Sequence, residues 1–253
     1  MSRLVNSERP AYRLYKLAWV GLDWLFPPHC GGCNAPGSRW CINCQKITQI
    51  IPVTTCQRCG RVQSSMGVCL SCLTSPPTYE SLRSWAFFEG PVRSAVHRLK
   101  YYGDMTLGEI LARPMASIIL ESGWKPDLLV PVPLGAEHQS QRGYNQAALL
   151  GRPVALANGI NYSTRALLKV RETLTQVGLK YSERFQNVAD AFEAESKIVS
   201  GRNIVVVDDV TTSGATMEAC AVALMSAGAR NIYGLTLARS SYQMGGNIVG
   251  NFW

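Results

Sequence analysis

Apolar positions along the chain recur with two periods, one near 3.6 residues and one set by short unbroken runs. Leu14, Leu17, Ala18, Leu22 and Leu25 repeat at helical spacing with Arg13, Lys16 and Asp23 between them, and Pro27 and Pro28 stop the pattern. Only two cations lie on its polar side, so a helix docked on its own protein is favoured over a membrane-surface helix. From residue 81, SLRSWAFFEGPVRSAVHRLKYYG predicts a strand and hairpin and then a short helix, and TLGEILARPMASIILES an amphipathic helix. DLLVPVPL (127–134) predicts a short apolar strand, QAALLGRPVALANG a helix interrupted at Pro153, and residues 166–170 another strand. QVGLKYSERFQNVADAF (176–192) is polar at its start and helical later. IVVVDDVTTSGAT (204–216) reads as a buried strand that delivers two acids into a loop. MEACAVALMSAG follows as a helix, NIYGLTLARS as a last strand, and a Gly/Asn-rich tail closes the chain. Strands alternate with helices from 127 to 240, which predicts an α/β fold with an open parallel sheet and helices on both faces.

The strand ending at Asp208 and Asp209 carries the most specific chemistry. Thr211, Thr212, Ser213, Gly214 and Thr216 follow it at the start of the next helix, where backbone N–H groups and hydroxyls suit a phosphate monoester. Paired carboxylates suit vicinal ribose hydroxyls, directly or through Mg2+. One ligand has both features, a 5-phosphorylated ribose. An ordinary strand and turn requires neither two adjacent acids nor four hydroxyls after them. The rival nucleotide loops, GxGxxG after a strand and GxxxxGK[ST], are missing from the sequence.

Cysteine spacing defines a second unit. Cys30 and Cys33, Cys41 and Cys44, Cys56 and Cys59, and Cys69 and Cys72 form four CxxC pairs within 43 residues. A two-residue gap lets both sulfurs of a knuckle face one ion, and two four-cysteine zinc sites account for all eight thiols. Pairing by neighbours is the natural arrangement, with a cross-braced one as the alternative. A disulfide framework needs an oxidising compartment, and no signal peptide or apolar run of membrane-spanning length is visible, so a cytoplasmic protein is expected. His29 adjoins the first knuckle and reads as a bystander. The formal charge of +8 is concentrated at the front. Residues 1–78 hold eight Lys/Arg and two acids, +6, and two zinc-tetrathiolate sites at −2 each bring this to +2. Basicity therefore suggests a polyanion partner without requiring one. TSPPT (74–78) reads as the linker. The expected organisation is an amphipathic segment at 1–28, a double zinc ribbon at 29–75, an α/β domain at 79–240 and a tail at 241–253.

IVVVDDVTTSGAT resembles the phosphoribosyl pyrophosphate (PRPP) motif of type I phosphoribosyltransferases. Together with the double CxxC ribbons, PVPL, RGYNQ and TQVGL…ER…NV…AF, it makes the chain resemble the ComF family of competence-associated proteins from Cys30 to about Arg239. That resemblance implies a type I phosphoribosyltransferase-like domain behind a zinc ribbon and a part in handling single-stranded DNA during natural transformation, with a competence helicase or other uptake protein as partner. It places Asp208, Asp209, Val210, Thr211, Thr212, Ser213, Gly214 and Thr216 around PRPP and Mg2+. Pro131, Val132 and Pro133 fall in the loop that holds pyrophosphate, with Arg142 facing it and Lys180 and Arg184 in a mobile lid. The LKYYG turn at 99–103 resembles a segment beside the substrate hood. Glu137, Gln139 and Gln141 stand where the family carries more Lys/Arg, which weakens anion binding there, and Val177 stands where a hydroxyl residue is common.

Two functions follow. As a DNA-handling protein the chain would use Arg39, Arg58 and Arg61 for backbone contact and Trp40 for stacking. As a working phosphoribosyltransferase it would transfer the ribosyl phosphate of PRPP to an amine or base nitrogen, with charge stabilisation and positioning as its main tools.

Overall fold

The computed structural model describes residues 28–173 and 181–241, with the backbone alone at 181–184. The expected N-terminal helix, the tail beyond residue 241 and Lys180 lie outside the described residues, as does the side chain of Arg184.

Four-cysteine loops open the described chain, each closing with one helical turn or so: α1 (Ile42–Ile47) and α2 (Leu70–Thr74). The α/β part then runs β1 (Ser81–Phe87), α3 (Gly90–Tyr101), α4 (Leu107–Glu121), β2 (Leu128–Pro131), α5 (Ala136–Arg142), α6 (Gln146–Asn158) and β3 (Asn161–Tyr162). It continues through β4 (Leu167–Lys169), α7 (Tyr181–Val188), β5 (Phe192–Ala194), α8 (Ser196–Val199), β6 (Asn203–Thr211), α9 (Ala215–Ser226) and β7 (Asn231–Arg239). Five strands form one sheet in the order β1-β7-β6-β2-β3, every pair parallel. The central strands are unbroken apolar runs because both faces of a parallel sheet are covered by helices. Alternation along β6 sorts the two cores. Ile204 and Val206 cluster with Met217, Cys220 and Leu224 of α9, whereas Val205 and Val207 cluster with Leu111 and Met115 of α4 and Leu150 of α6.

Three expectations change. SLRSWAFF forms one strand without a hairpin. Gly90, at φ +48, and Pro91 turn the chain directly into α3, and β1 finds its partner in β7. Residues 167–169 leave the parallel sheet and pair antiparallel with β5, forming a small ribbon on either side of residues 174–180. Pro153 lies within a continuous α6. Its ring removes one helical hydrogen bond, but the Asn145 side chain accepts from the N–H groups of Ala147 and Ala148 at one end and Gly159 closes the other, with the helix buried along its length between. EHQSQR, to which no element was assigned above, is helical, ended by Gly143 at φ +74.

The cysteine module is sewn into the sheet edge. Ile50 bridges antiparallel to Ala86, Ile51 N–H donates to Trp85 O (3.0 Å) and Phe87 N–H to Gln49 O (2.8 Å), so residues 49–51 cap β1 as an extra edge segment. Leu82 N–H donates to Arg58 O (2.7 Å), Arg83 donates to the carbonyls of Cys56 and Gln57, and the buried Arg239 donates to Cys59 O. Gly60 sits in this seam at φ +67, and a Cβ there would strike the Leu82 carbonyl. Gly60→Ala is therefore expected to cost about 3 kcal/mol in denaturant unfolding of the metal-loaded protein. Gly37→Ala, at φ +100 but in open space, is expected to cost only about 1 kcal/mol in the same measurement.

Candidate functional site

β6, the middle strand, ends at the C-terminal rim of the parallel sheet, where its last residues meet the first turn of α9. The strand runs further than its apolar residues do, because Asp208 pairs with Thr236, Val210 with Ala238 and Thr211 with Arg239 of β7. Both acids are thus inside the strand rather than in the loop, and the pleat sends neighbours to opposite faces. Asp208 takes the α9 side and lines a small cavity of about 20 Å3 with Val210, Thr211, Thr212, Gly214, Ala215, Thr216, Met217 and Thr236. Asp209 takes the other side, where Val205 and Val207 already lie.

Thr212, Ser213 and Gly214 make the turn into α9. Gly214 adopts φ +87, a left-handed conformation that a side chain would strain, and a Cβ there would lie 3.3 Å from the Tyr79 hydroxyl. Ser213 Oγ accepts from Ala215 N–H (3.3 Å), and the first intrahelical bond runs from Glu218 N–H to Gly214 O (2.9 Å). The N–H groups of the first turn therefore project from the helix end, beside the Thr and Ser hydroxyls, in the arrangement that attracts an anion. The cavity has room for a water-sized group.

Asp209 is 4% exposed at its side chain and ion-pairs with Lys100 of α3, Nζ to Oδ2 at 2.6 Å, off the angle of a good hydrogen bond. Burial works against its charge, but the ammonium outweighs burial and holds the carboxyl below the usual range; the same contact holds Lys100 above its own. Asp208 goes the other way. Burial and the neighbouring Asp209 charge push its carboxyl well above the usual range, although Asp208 Oδ1 accepts the Asp209 N–H at 2.8 Å. Two adjacent carboxylates so become one fixed anion with its own cation and one acid held back from ionising. Lys100 was not named as a site residue because, apart from the LKYYG resemblance, it reads on sequence as an ordinary helix-end lysine; its further signal is the position, at the C-terminal end of α3 where a cation suits the helix dipole.

The Pro131–Pro133 loop corrects one expectation. Neither proline has an N–H, and the Val132 N–H already donates to Val207 O (2.8 Å), so none of the three offers a backbone donor to pyrophosphate. Val132 O is taken by Asn145 Nδ2 (2.9 Å), and no cis peptide occurs among the described residues. The loop instead guides the chain to Gly135, which packs on the Glu172 carboxylate. Arg142 ends α5, donates to Gln146 Oε1 (3.1 Å) and lays its guanidinium over the Tyr101 ring at 5.1 Å. It reaches the Lys100 neighbourhood from the opposite element.

The eight ribbon cysteines gather by neighbours, which resolves the pairing. Cys30, Cys33, Cys41 and Cys44 form one cluster and Cys56, Cys59, Cys69 and Cys72 the other, with all four sulfurs of each within 4.8 Å. The Cys33–Cys41 and Cys59–Cys69 sulfur separations are 3.7 and 3.8 Å. Four sulfurs placed tetrahedrally at a Zn–S distance near 2.3 Å would be about 3.8 Å apart. Burial opposes ionisation of Cys30 and Cys56, but backbone N–H groups aimed at their sulfurs, Cys41 N–H at 3.3 Å and Cys69 N–H at 3.3 Å, bring each thiol down to about 6. Burial and the neighbouring sulfurs push Cys44 and Cys72 up. A central dication would allow all four to be thiolates together. Cys220 is buried in the α9 core, away from both clusters.

Of the cations assigned to nucleic acid, Arg39 donates to Thr106 O (3.1 Å), in the seam with the α/β part. Trp40 is half-buried against Trp85, ring centroids 6.3 Å apart in an edge-on pair, and serves the seam rather than offering an open stacking face. Arg58 and Arg61 are half-buried beside the second cluster. No described helix is long and apolar enough to cross a membrane.

Comparisons with known proteins give the same two parts. Residues 21–73 match the family described as double zinc ribbon domain, and residues 100–242 match the phosphoribosyl transferase domain. A DNA utilization protein YhgH of Salmonella typhimurium is 32% identical over 87% of this chain and 97% of its own length. Competence protein F of Haemophilus influenzae is 29% identical over 84% of this chain and 96% of its own, and competence protein ComFC of Bacillus subtilis 28% identical over 81% and 86%.

The opposed acids make a pH prediction. Asp209, lowered, adds stability above its unfolded value near pH 4 that is lost as pH falls through its folded value. Lys100, raised, adds stability below about pH 10 that is lost as pH rises through its folded value. Lys100→Met should cost about 3–5 kcal/mol at pH 7, with most of it recovered in Lys100→Met/Asp209→Asn. Asp208, raised, does the reverse: between its unfolded and folded values the native state holds a proton that the unfolded chain releases, so stability falls as pH rises. Asp208→Asn should melt a few degrees higher than wild type at pH 7 and no higher at pH 3, which scanning calorimetry would check.

Proposed function

Given a chain that belongs to the ComF family, a double zinc ribbon joined to a type I phosphoribosyltransferase-like domain, we propose that it is a competence-associated cytoplasmic protein. In this reading it handles single-stranded DNA and holds a 5-phosphoribose ligand, PRPP with Mg2+, across the loop after β6. The observation that carries the ligand reading is the placement of Asp208 on the cavity wall formed by Thr211, Thr212, Gly214 and Thr216. One end of that wall suits a phosphate and the other suits sugar hydroxyls or a hydrated Mg2+, while Asp209 keeps Lys100 in place. The DNA reading is supported by the names of the relatives and by the basic balance of the chain. In the same proposal residues 29–75 are the ribbon module, with one zinc held by Cys30, Cys33, Cys41 and Cys44 and another by Cys56, Cys59, Cys69 and Cys72, and residues 79–240 are the phosphoribosyltransferase-like unit.

Turnover is the second reading, favoured by the same cavity. The C1–O bond of PRPP would break with its electron pair leaving on pyrophosphate, and an acceptor nitrogen would bond to C1 and give up its proton to solvent. Arg142 is the described cation on hand for the leaving charge, with Lys180 and Arg184 proposed to join it.

Calorimetry with PRPP and Mg2+ tests the site. Wild type should bind, and Asp208→Asn should bind at least about tenfold more weakly. Equal affinity of the two proteins would reject the placement of ribose at Asp208. Elemental analysis should find two zinc ions per chain and one after Cys56→Ser.

A further inference from the structure

We propose that the C-terminal end of α3 is a stacking platform for the bases of single-stranded DNA, in which Tyr101 and Tyr102 receive successive bases and Arg142 meets a phosphate beside them. This rests on the DNA-handling reading above. It moves the base contact from the ribbon, where Trp40 is packed into the seam, to a different element.

Tyr101 and Tyr102 are 63% and 73% exposed, consecutive, and the most exposed aromatic residues of the α/β part among the described residues. They are nevertheless held in place. The Tyr101 ring lies 4.7 Å from that of His97, one turn back on α3, and the Tyr102 ring 5.6 Å from it, tilted at 49° and 52°. Tyr102 N–H donates to Arg98 O at 3.0 Å, so the second ring closes the helix rather than trailing from it. Arg142 approaches Tyr101 from α5 at 5.1 Å. Tyr144, two residues on, donates its hydroxyl to Leu99 O at 2.6 Å and pins α5 to α3. Rings fixed before binding lose little freedom when a base stacks on them.

The surrounding charge suits a polyanion. Arg142 is bonded to a neutral amide, Gln146, and has no carboxylate partner among the described residues. The nearby acids are already compensated, Asp104 by Arg98 at 2.8 Å and Asp209 by Lys100 at 2.6 Å. A strand lying on the platform thus meets a cation and two π-faces with no unpaired carboxylate among these residues. Tyr101 also follows Lys100 directly, so a stacked strand would run past the acid pair that closes β6.

Fluorescence anisotropy with a labelled oligo(dT) over a range of salt concentrations tests this on the full zinc-loaded chain. Tyr101→Ala/Tyr102→Ala should bind at least about tenfold more weakly with an unchanged salt slope, because stacking releases no counterions. Tyr101→Phe/Tyr102→Phe should bind within about twofold of wild type, since the ring and not the hydroxyl is used. Arg142→Gln should weaken binding and reduce the slope by about one. Wild-type affinity in the double alanine variant would overturn the proposal, as would an equal loss in the phenylalanine variant or equal binding of a duplex of the same length. Binding lost in Arg58→Gln/Arg61→Gln but kept in the tyrosine variants would leave the DNA-handling reading standing and reject the platform. No binding by wild type at any salt would reject both.

Discussion

An ammonium and a carboxylate 2.6 Å apart, on the wall between core and opening, set the terms for the whole site. Asp209 shares its side of the sheet with valines and leucines, where an unpaired charge would cost several kcal/mol. Lys100 makes that position tenable and ties the end of α3 to the end of β6. With Asp209 neutralised in place, Asp208 is left as the acid that faces the cavity, its carboxyl pushed above the usual range by burial and by its neighbour.

The metal-binding module is part of the same construction. Residues 49–51 close the edge of β1, Arg83 and Arg239 reach across to carbonyls of the second ribbon, and Arg98 donates to Cys30 O and Asn34 Oδ1 of the first. Thr78 in the linker bonds the Glu218 carboxylate in the first turn of α9. Tyr79, one residue later, packs against Gly214. The chain thus passes from cysteine cluster to the loop after β6 within a few residues, and the geometry of either constrains the other.

Much of this was legible in the sequence because it is local. The valine run, the acid pair and the Thr/Ser/Gly turn specify strand, loop and helix end without outside help, and CxxC spacing specifies knuckles. What required the fold was every decision between distant segments. Nothing near Asp208 in the sequence says that β6 extends through both acids, since that follows from pairing with Thr236 and Ala238 on β7. Lys100 lies more than a hundred residues from its partner. Pro131–Pro133 looked like a backbone cradle, yet the Val132 N–H belongs to Val207. The SLRSWAFF segment looked like half of a hairpin because its antiparallel neighbour, around Ile50, precedes it and sits among cysteines.

The seam at β1 bears on how such a protein can change over evolutionary time. A module joined by a loose tether can be gained, lost or exchanged by recombination at the tether. Here a break at residues 74–78 would bare the backbone edge of β1 for strand addition by another molecule and would leave the buried guanidinium of Arg239 and the half-buried one of Arg83 without their carbonyls. Ribbon and sheet are therefore expected to be inherited together, with TSPPT as a join in the sequence that the folded molecule does not treat as one.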